Sequence, residues 1–466
     1  MNYNTEMINS MAQKLAEMMK TMVIEQEEAG QSKRTIAQIE TGMREILKET
    51  GAQALSLFLN SMQATPVNEI ECSCGGTLRY QRKRSATVIS VFGRVEYERA
   101  YYAGCSCKEG KAPLDEKLGL KPGAVTAGLA TLLAMAGIGF SYHESPRWLQ
   151  AYLLFDISEN TVRSETEQMG KLQDEYEKEL IQKSQDEAYL QERQRNAGRV
   201  PPRLYGSMDA AKVRIEPRPK KGQEVEEHEN WRDLKLLCWF ETEEVSPSQR
   251  SVRQRKKAQR QQAVLRAKNK RYFCDITEAE NFGKLLWATG CLINADLSPE
   301  LIFLGDGALW IWNLVSQYYR HAVQIVDWFH AEEHLEEVAR AAFSDLLQRS
   351  AWLEETTQAL WEGRVEEVIS ACQSLTLSCS TALEAVKYFS NNIERMRYDQ
   401  FRTAGYMIGS GIVESGCKQV TTHRLKLPGA QWIVTGAVQT AKARAAWLSD
   451  LWQPLCNLRS ALPLAV

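Results

Sequence analysis

The chain has 466 residues, 44% of them apolar and 25% charged, an ordinary balance for a soluble globular protein with a large core and about three domains. A formal net charge of −2 excludes global basicity, so a polyanionic partner would have to be met by local patches. The polar N-terminus has no apolar core of a secretory signal, and the most apolar stretch, residues 125–140, is short of a membrane span. A cytoplasmic chain without a membrane partner is the expectation, and eleven cysteines, most of them single within apolar runs, fit a reducing compartment.

Residues 1–65 show Met and Leu at helical spacing in MINSMAQKLAEMMKTMV and IAQIETGMREIL, which predicts a helical N-terminal region without identifiable chemistry. Residues 66–116 change character. CSCGG at 72–76 answers CSCKEG at 105–110 across a β-rich segment with a turn at Phe92-Gly93. Cys72, Cys74, Cys105 and Cys107 form a candidate four-thiolate zinc site, a zinc-ribbon-like staple for a small β module; free thiols on a metal-free module are the alternative. Residues 117–200 return to helix. Ser158 is a good N-cap for a helix bearing Thr161 and Arg163 early on, and with the helix around Trp148–Leu154 this makes a helix-turn-helix-like candidate for DNA contact. A plain helical hairpin reads the same way.

A main domain over 201–345 opens with two strands, RLYGSMDAAKVRIE carrying Asp209 and WRDLKLLCWFE. Then 248–271 holds ten Lys or Arg and no acid, including Lys256 and Lys257. It is either a phosphate-binding patch or a solvated basic loop. Two short apolar strands follow, LIFLG ending at Asp306 and AVQIV ending at Asp327, each giving way to helical spacing. Continuous apolar runs alternating with helices predict a sheet buried on both faces, and an acid at the C-terminal end of such a strand is placed for a ligand. A lone Asp-Gly at a strand end is otherwise a solvated turn. Residues 346–402 read as helical. The final part, 403–466, contains GYMIGSGIVESGCKQV, in which a Gly-Ser-Gly loop opens a helix with Glu414, followed by Lys418, Arg424 and Lys426 as phosphate-contact candidates.

Asp209, Asp306 and Glu414 are three carboxylates of the kind that hold the two Mg²⁺ ions of phosphodiester chemistry, Mg²⁺ being a hard ion that takes oxygen ligands. The motifs GDGALWIWNL, VDWFHAEEHL, YFSNNIERMRY and GYMIGSGIVESGCKQV, in this order, resemble those of the Kra-type family of bacterial insertion-sequence transposases, over about Cys72 to Trp452. The resemblance implies a DDE enzyme with an α/β RNase H-like catalytic domain interrupted by a helical insertion. It implies Asp209, Asp306 and Glu414 as the metal-binding catalytic triad, with Mg²⁺ or Mn²⁺. Asp327 and His330 would shape the site, the cysteine pairs would match the family's N-terminal module, and DNA and further copies of the chain would be partners. A retired DNA-binding protein and a nuclease without joining activity are the rival readings. So is a zinc protease, since HAEEH at 330–334 fits H-x-x-E-H.

Overall fold

A computed structural model of the chain describes residues 5–28, 35–216, 231–246, 264–409 and 411–460. It divides into two units, Met1–Thr166 with Gln453–Val466, and Glu167–Trp452. The division falls inside a helix, not at the Pro201–Pro202 loop.

The first unit begins with α1 (Thr5–Glu28) and α2 (Ile36–Ser61), the latter opened by a capping box between Thr35 and Gln38. An antiparallel sheet follows: β1 (Glu69–Glu71), β2 (Thr77–Ser90) and β3 (Gly93–Ala103), with β2 and β3 joined by the tight turn at Val91–Phe92. The alternating residues Ala86, Val88, Val95 and Tyr97 pack with Leu59 of α2 and with Leu114 of α3 (Pro113–Leu118). The N-terminal helices and the cysteine module therefore share a core rather than forming separate bodies. Next come α4 (Ala127–Gly139), α5 (Ser145–Leu153) and α6 (Glu159–Lys183), the last capped as expected by Ser158, whose Oγ accepts from Thr161 N at 3.1 Å. The apolar stretch at 125–140 is thus largely a 13-residue buried helix, and among the described residues no helix is long and apolar enough to cross a membrane.

The second unit continues with α7 (Glu187–Arg195) and then a five-stranded mixed sheet. Its strands are β4 (Arg203–Arg214), β5 (Trp231–Glu244), β6 (Leu265–Asp275), β7 (Glu300–Gly305) and β8 (Val323–Val326). The order across the sheet is β6-β5-β4-β7-β8: a three-strand antiparallel meander, then β7 and β8 added parallel to β4. The parallel strands need crossovers, supplied by α8 (Ala279–Leu292) before β7 and α9 (Leu309–Tyr318) before β8. Leu301, Ile302, Phe303 and Leu304 are almost entirely buried, as a strand covered on both faces requires. Trp239 meets both Phe303 and Tyr319 edge-on in this core, and its indole donates to Thr289 at 3.0 Å.

The strand β6 corrects the reading of 248–271 as one basic patch. Residues 248–263, with Lys256 and Lys257, lie outside the described residues. Leu265–Arg271, however, is sheet-edge backbone, and Arg266 and Lys268 pair with Glu243 at 2.5 and 3.7 Å.

The helical segment is α10 (Trp328–Ala342), α11 (Leu346–Trp361), α12 (Val365–Gln373), α13 (Ser380–Asn391) and α14 (Tyr398–Thr403). Trp328 packs edge-on against both Trp361 and Tyr398. The chain then returns to the sheet with α15 (Gly411–Cys417), a π-helical turn Lys418–Thr422, and α16 (Val434–Leu448).

Where α6 and α16 meet β6, Lys442 is 2% exposed and bonds Glu177 at 2.6 Å, Asp174 at 2.7 Å and Asp275 at 3.0 Å. Its removal would leave Glu177, itself 2% exposed, without its countercharge. Lys442→Met is expected to lower unfolding stability by about 3–5 kcal/mol, read from urea denaturation; a loss below about 1 kcal/mol would show that the cluster is not a structural tie.

Candidate active site

Register aligns the three strand aspartates. β4 pairs with β7 as Arg203↔Glu300 through Ser207↔Leu304, an offset of 97, and the same offset carried two residues on sets Asp209 level with Asp306 (209 + 97 = 306). β7 pairs with β8 as Ile302↔Val323 through Gly305↔Val326, an offset of 21, which sets Asp306 level with Asp327 (306 + 21 = 327). Three aspartates thus stand in a row where three parallel neighbours run toward their C-terminal ends. Adjacent strands are about 4.8 Å apart, so like charges here are close. Burial pushes the Asp209 carboxyl above the ordinary carboxylate range and the Asp306 charge adds to this, against the neighbouring Cys417 thiol and a hydrogen bond from the Ala210 N–H.

Asp306 is held by its surroundings. Its Oδ1 accepts from Ala308 N at 2.9 Å, and its own carbonyl accepts from the Tyr388 hydroxyl of α13 at 2.9 Å. Gly307 follows at φ +104°, and a Cβ there would lie 2.5 Å from the Tyr388 ring. Both the backbone turn and the tyrosine therefore require glycine. In the same way Tyr398 of α14 donates to Val326 O at 3.0 Å, one residue before Asp327. The helical segment thus fixes both strand ends that carry acids. Asp327, 0% exposed, caps α10 by accepting from Phe329 N at 2.6 Å.

Glu414 comes from α15, which packs on β4 and β5. One helical turn later on α15, the Cys417 thiol neighbours Asp209 closely enough that each shifts the other's ionisation, so the helix bearing Glu414 lies against the strand bearing Asp209. Across the site, His330 Nδ1 lies 3.8 Å from Glu414 Oε1 and 3.9 Å from Asp327 Oδ2. Asp327, His330 and Glu414 each offer an atom within 4.8 Å of the others, a grouping compatible with a metal ion. Sequence reading named all five residues but did not foresee that His330 and Asp327 would make the tightest group with Glu414. It also missed Cys417, Tyr388 and Tyr398. The available signal was their placement inside the motif words ESGCKQV, YFSNN and RMRY.

The His330 imidazole is drawn up to about 9, first by its interaction with Asp327, with the Glu414 and Asp306 charges adding and burial opposing. A folded-state value above the ordinary 6.5 means that the stabilisation is fully present below about pH 6.5 and is lost as pH rises through about 9. In metal-free protein the urea midpoint is expected to fall between pH 6.5 and 9.5, and to fall less in His330→Asn. Equal slopes in the two proteins would contradict this pairing. His334, the other histidine of HAEEH, is not part of the group with Asp327 and Glu414: its ring lies 3.9 Å from that of Tyr388 and its Nδ1 is 3.7 Å from Glu337.

The second candidate centre is in the first unit. Cys72 Sγ and Cys107 Sγ are 3.4 Å apart, Cys74 Sγ and Cys105 Sγ 3.3 Å, and all four sulfurs lie within 4.8 Å of one another. Two turns present them. Cys72 N donates to Gly76 O at 2.8 Å, and Lys108 N donates to Cys105 O at 3.0 Å. A Cβ on Gly76 would sit 2.7 Å from Cys105 Sγ, so the second glycine of CSCGG makes room for the cluster. The Cys105 thiol is drawn down to about 6, first by the backbone of Cys107 and then by the neighbouring thiols. The C-x-C spacing therefore does not prevent four sulfurs from converging on a site of zinc-binding type.

The nucleic-acid candidates divide. Lys418 is 68% exposed beside Glu414, 3.8 Å from its Oε2, and Lys426 is exposed. Arg424 is a correction: it is 2% exposed, with its guanidinium over the Trp432 ring at 5.0 Å, so it belongs to the core and presents nothing to DNA. Thr161 and Arg163 are half-buried in the first turn of α6, engaged with Ser158 at 2.7 Å and Asn160 at 3.1 Å. In comparisons with known proteins, no family model matches the chain and no curated protein matches it.

Proposed function

We propose that this protein is a DNA transposase of the DDE class, related to the Kra-type insertion-sequence family, that cleaves and joins DNA strands at a carboxylate site built from Asp209, Asp306 and Glu414. The observation that carries the reading is the shared register of Asp209 and Asp306 on parallel neighbours, with the Glu414 helix lying against the strand that bears Asp209. The strand order β6-β5-β4-β7-β8 and the helical segment between Asp306 and Glu414 agree with the RNase H-like layout that the motif resemblance implies.

The residues fit a divalent cation. Asp209 is disfavoured in its charged form by burial and by Asp306, and a bound cation would offset both. Asp209, Asp306 and Glu414 would hold Mg²⁺, or Mn²⁺ in its place. Such ions, when bound, activate the attacking oxygen and neutralise charge on the leaving one. The chain's own part is positioning. Tyr388 and Ala308 fix Asp306, Cys417 and the Ala210 N–H flank Asp209, and exposed Lys418, beside Glu414, and exposed Lys426 offer cations to phosphates. The α5–α6 pair would contact DNA elsewhere, and pairing of two DNA ends would require more than one copy of the chain. The alignment of Asp209 with Asp306, and the packing of the Glu414 helix on β4, favour this reading over a retired DNA-binding protein. His330 groups with Asp327 and Glu414 and not with His334, which disfavours the protease reading.

Incubation with DNA flanking the coding sequence and Mg²⁺ or Mn²⁺ tests the proposal. Magnesium-dependent nicks that go on to joined products are expected. Nicks without joining would make the protein a nuclease, and DNA binding with neither would overturn the catalytic reading.

A further inference from the structure

The group Asp327, His330 and Glu414 differs from the proposed cleavage triad in one chemical respect: it contains a nitrogen. Glu414 is shared between the two. The other two members come from the N-cap and first turn of a single helix, α10, so their spacing is set by backbone that is already ordered. The Asp327 carboxylate is fully buried and its Oδ1 is fixed by the Phe329 N–H, which aims the group. Glu414 reaches the same point from α15.

The separations are informative. His330 Nδ1 is a buried ring nitrogen that makes no hydrogen bond among the described residues, yet two carboxylate oxygens from different elements stand 3.8 and 3.9 Å from it. Those distances are too long for hydrogen bonds. They are close to what two ligands of one metal ion show, since bonds of about 2.0–2.2 Å hold neighbouring ligand atoms roughly 3–4 Å apart. Three donors converge at ligand-to-ligand spacing rather than at hydrogen-bond spacing.

We infer that Asp327, His330 and Glu414 form a second cation site, with one nitrogen and two carboxylate ligands, that takes a transition ion such as Mn²⁺ or Zn²⁺ in preference to Mg²⁺ or Ca²⁺. Magnesium and calcium favour all-oxygen surroundings, whereas imidazole suits the transition ions. The site needs no DNA and stands whether or not the chain cuts strands. Because Glu414 belongs to both groups, an ion here would bear on the helix that the proposed cleavage site also uses.

The test is Mn²⁺ alone, added to full-length protein carrying one equivalent of Zn²⁺, which the four thiolates take first and which leaves the nitrogen-carboxylate group free, and followed by electron paramagnetic resonance. Free-ion loss gives the affinity, and electron spin-echo modulation reports nitrogen bound to the ion. Thiolates are poor Mn²⁺ ligands, so the cysteine cluster does not compete. One nitrogen-coordinated Mn²⁺ per chain is expected in the wild type. The nitrogen modulation should vanish in His330→Asn, with affinity reduced tenfold or more, and should survive in Asp306→Asn. Excess Mg²⁺ should displace the ion poorly. Mn²⁺ bound without nitrogen modulation in the wild type would overturn the inference without recourse to a variant. So would modulation that persists in a folded His330→Asn. Loss of cleavage in Asp306→Asn with retained modulation would separate this site from the proposed catalytic triad.

Discussion

Asp306→Asn is expected to lower the rate of Mg²⁺-dependent strand cleavage by on the order of 10³-fold or more, the scale on which removal of one group at a charge-stabilising site acts. DNA binding should be unchanged or slightly tighter. The substitution keeps the side-chain shape and an oxygen for the Ala308 N–H, so the turn at Gly307 and the Tyr388 contact have no reason to move. What is lost is a negative charge level with Asp209. That charge repels phosphate when no cation is present, so its removal cannot weaken association through electrostatics. It also raises Asp209, so Asp306→Asn should ease ionisation of Asp209 even as it removes a ligand. Cleavage and binding therefore move apart, measured by single-turnover cleavage beside a mobility-shift titration. Parallel loss of both would mean that Asp306 supports the fold instead.

The second large effect concerns the cysteines. The protein as purified is expected to carry one zinc per chain in the first unit. Cys105→Ala should abolish it and release the turn regions 69–78 and 102–111, seen as a large rise in amide hydrogen exchange. Zinc bound by four thiolates at about 2.3 Å sets sulfurs roughly 3.8 Å apart, so sulfurs at 3.3 and 3.4 Å need only a small expansion to receive it. Structural zinc contributes about 10–16 kcal/mol of apparent binding free energy in small folds, more than a short β module gains by itself. The far half of the hairpin should be spared, because Val88, Val95 and Tyr97 are covered by Leu59 and Leu114. Absence of zinc by mass spectrometry, or unchanged exchange in the variant, would refute the assignment.

How much of this was legible in sequence depends on which force sets each element. The strands ending at Asp306 and Asp327 announce themselves, because burial on both faces demands unbroken apolar runs. Their alignment with Asp209 does not, since register is a property of pairing and no single strand carries it. β6 was hidden for the opposite reason. It is an edge strand whose Arg266, Lys268 and Asn269 engage Glu243 and Glu241, so its sequence reads as solvated charge. Arg424 misled because a cation near a candidate site suggests phosphate, whereas this one is buried against Trp432. The cysteine pairs were visible as pairs, but only the two turns around Gly76 and Lys108 show that C-x-C spacing lets four sulfurs meet. The supporting tyrosines could not be assigned from sequence, because Tyr388 acts on Asp306 from 82 residues away.

The central claim is that the strand-end carboxylates form a cation site. Its most direct test is anomalous diffraction from crystals of the full chain soaked in Mn²⁺. A peak in contact with both Asp209 and Asp306, absent from Asp306→Asn crystals, is the predicted result. Anomalous density confined to other parts of the molecule, with Asp209 and Asp306 bound to no ion, would contradict it.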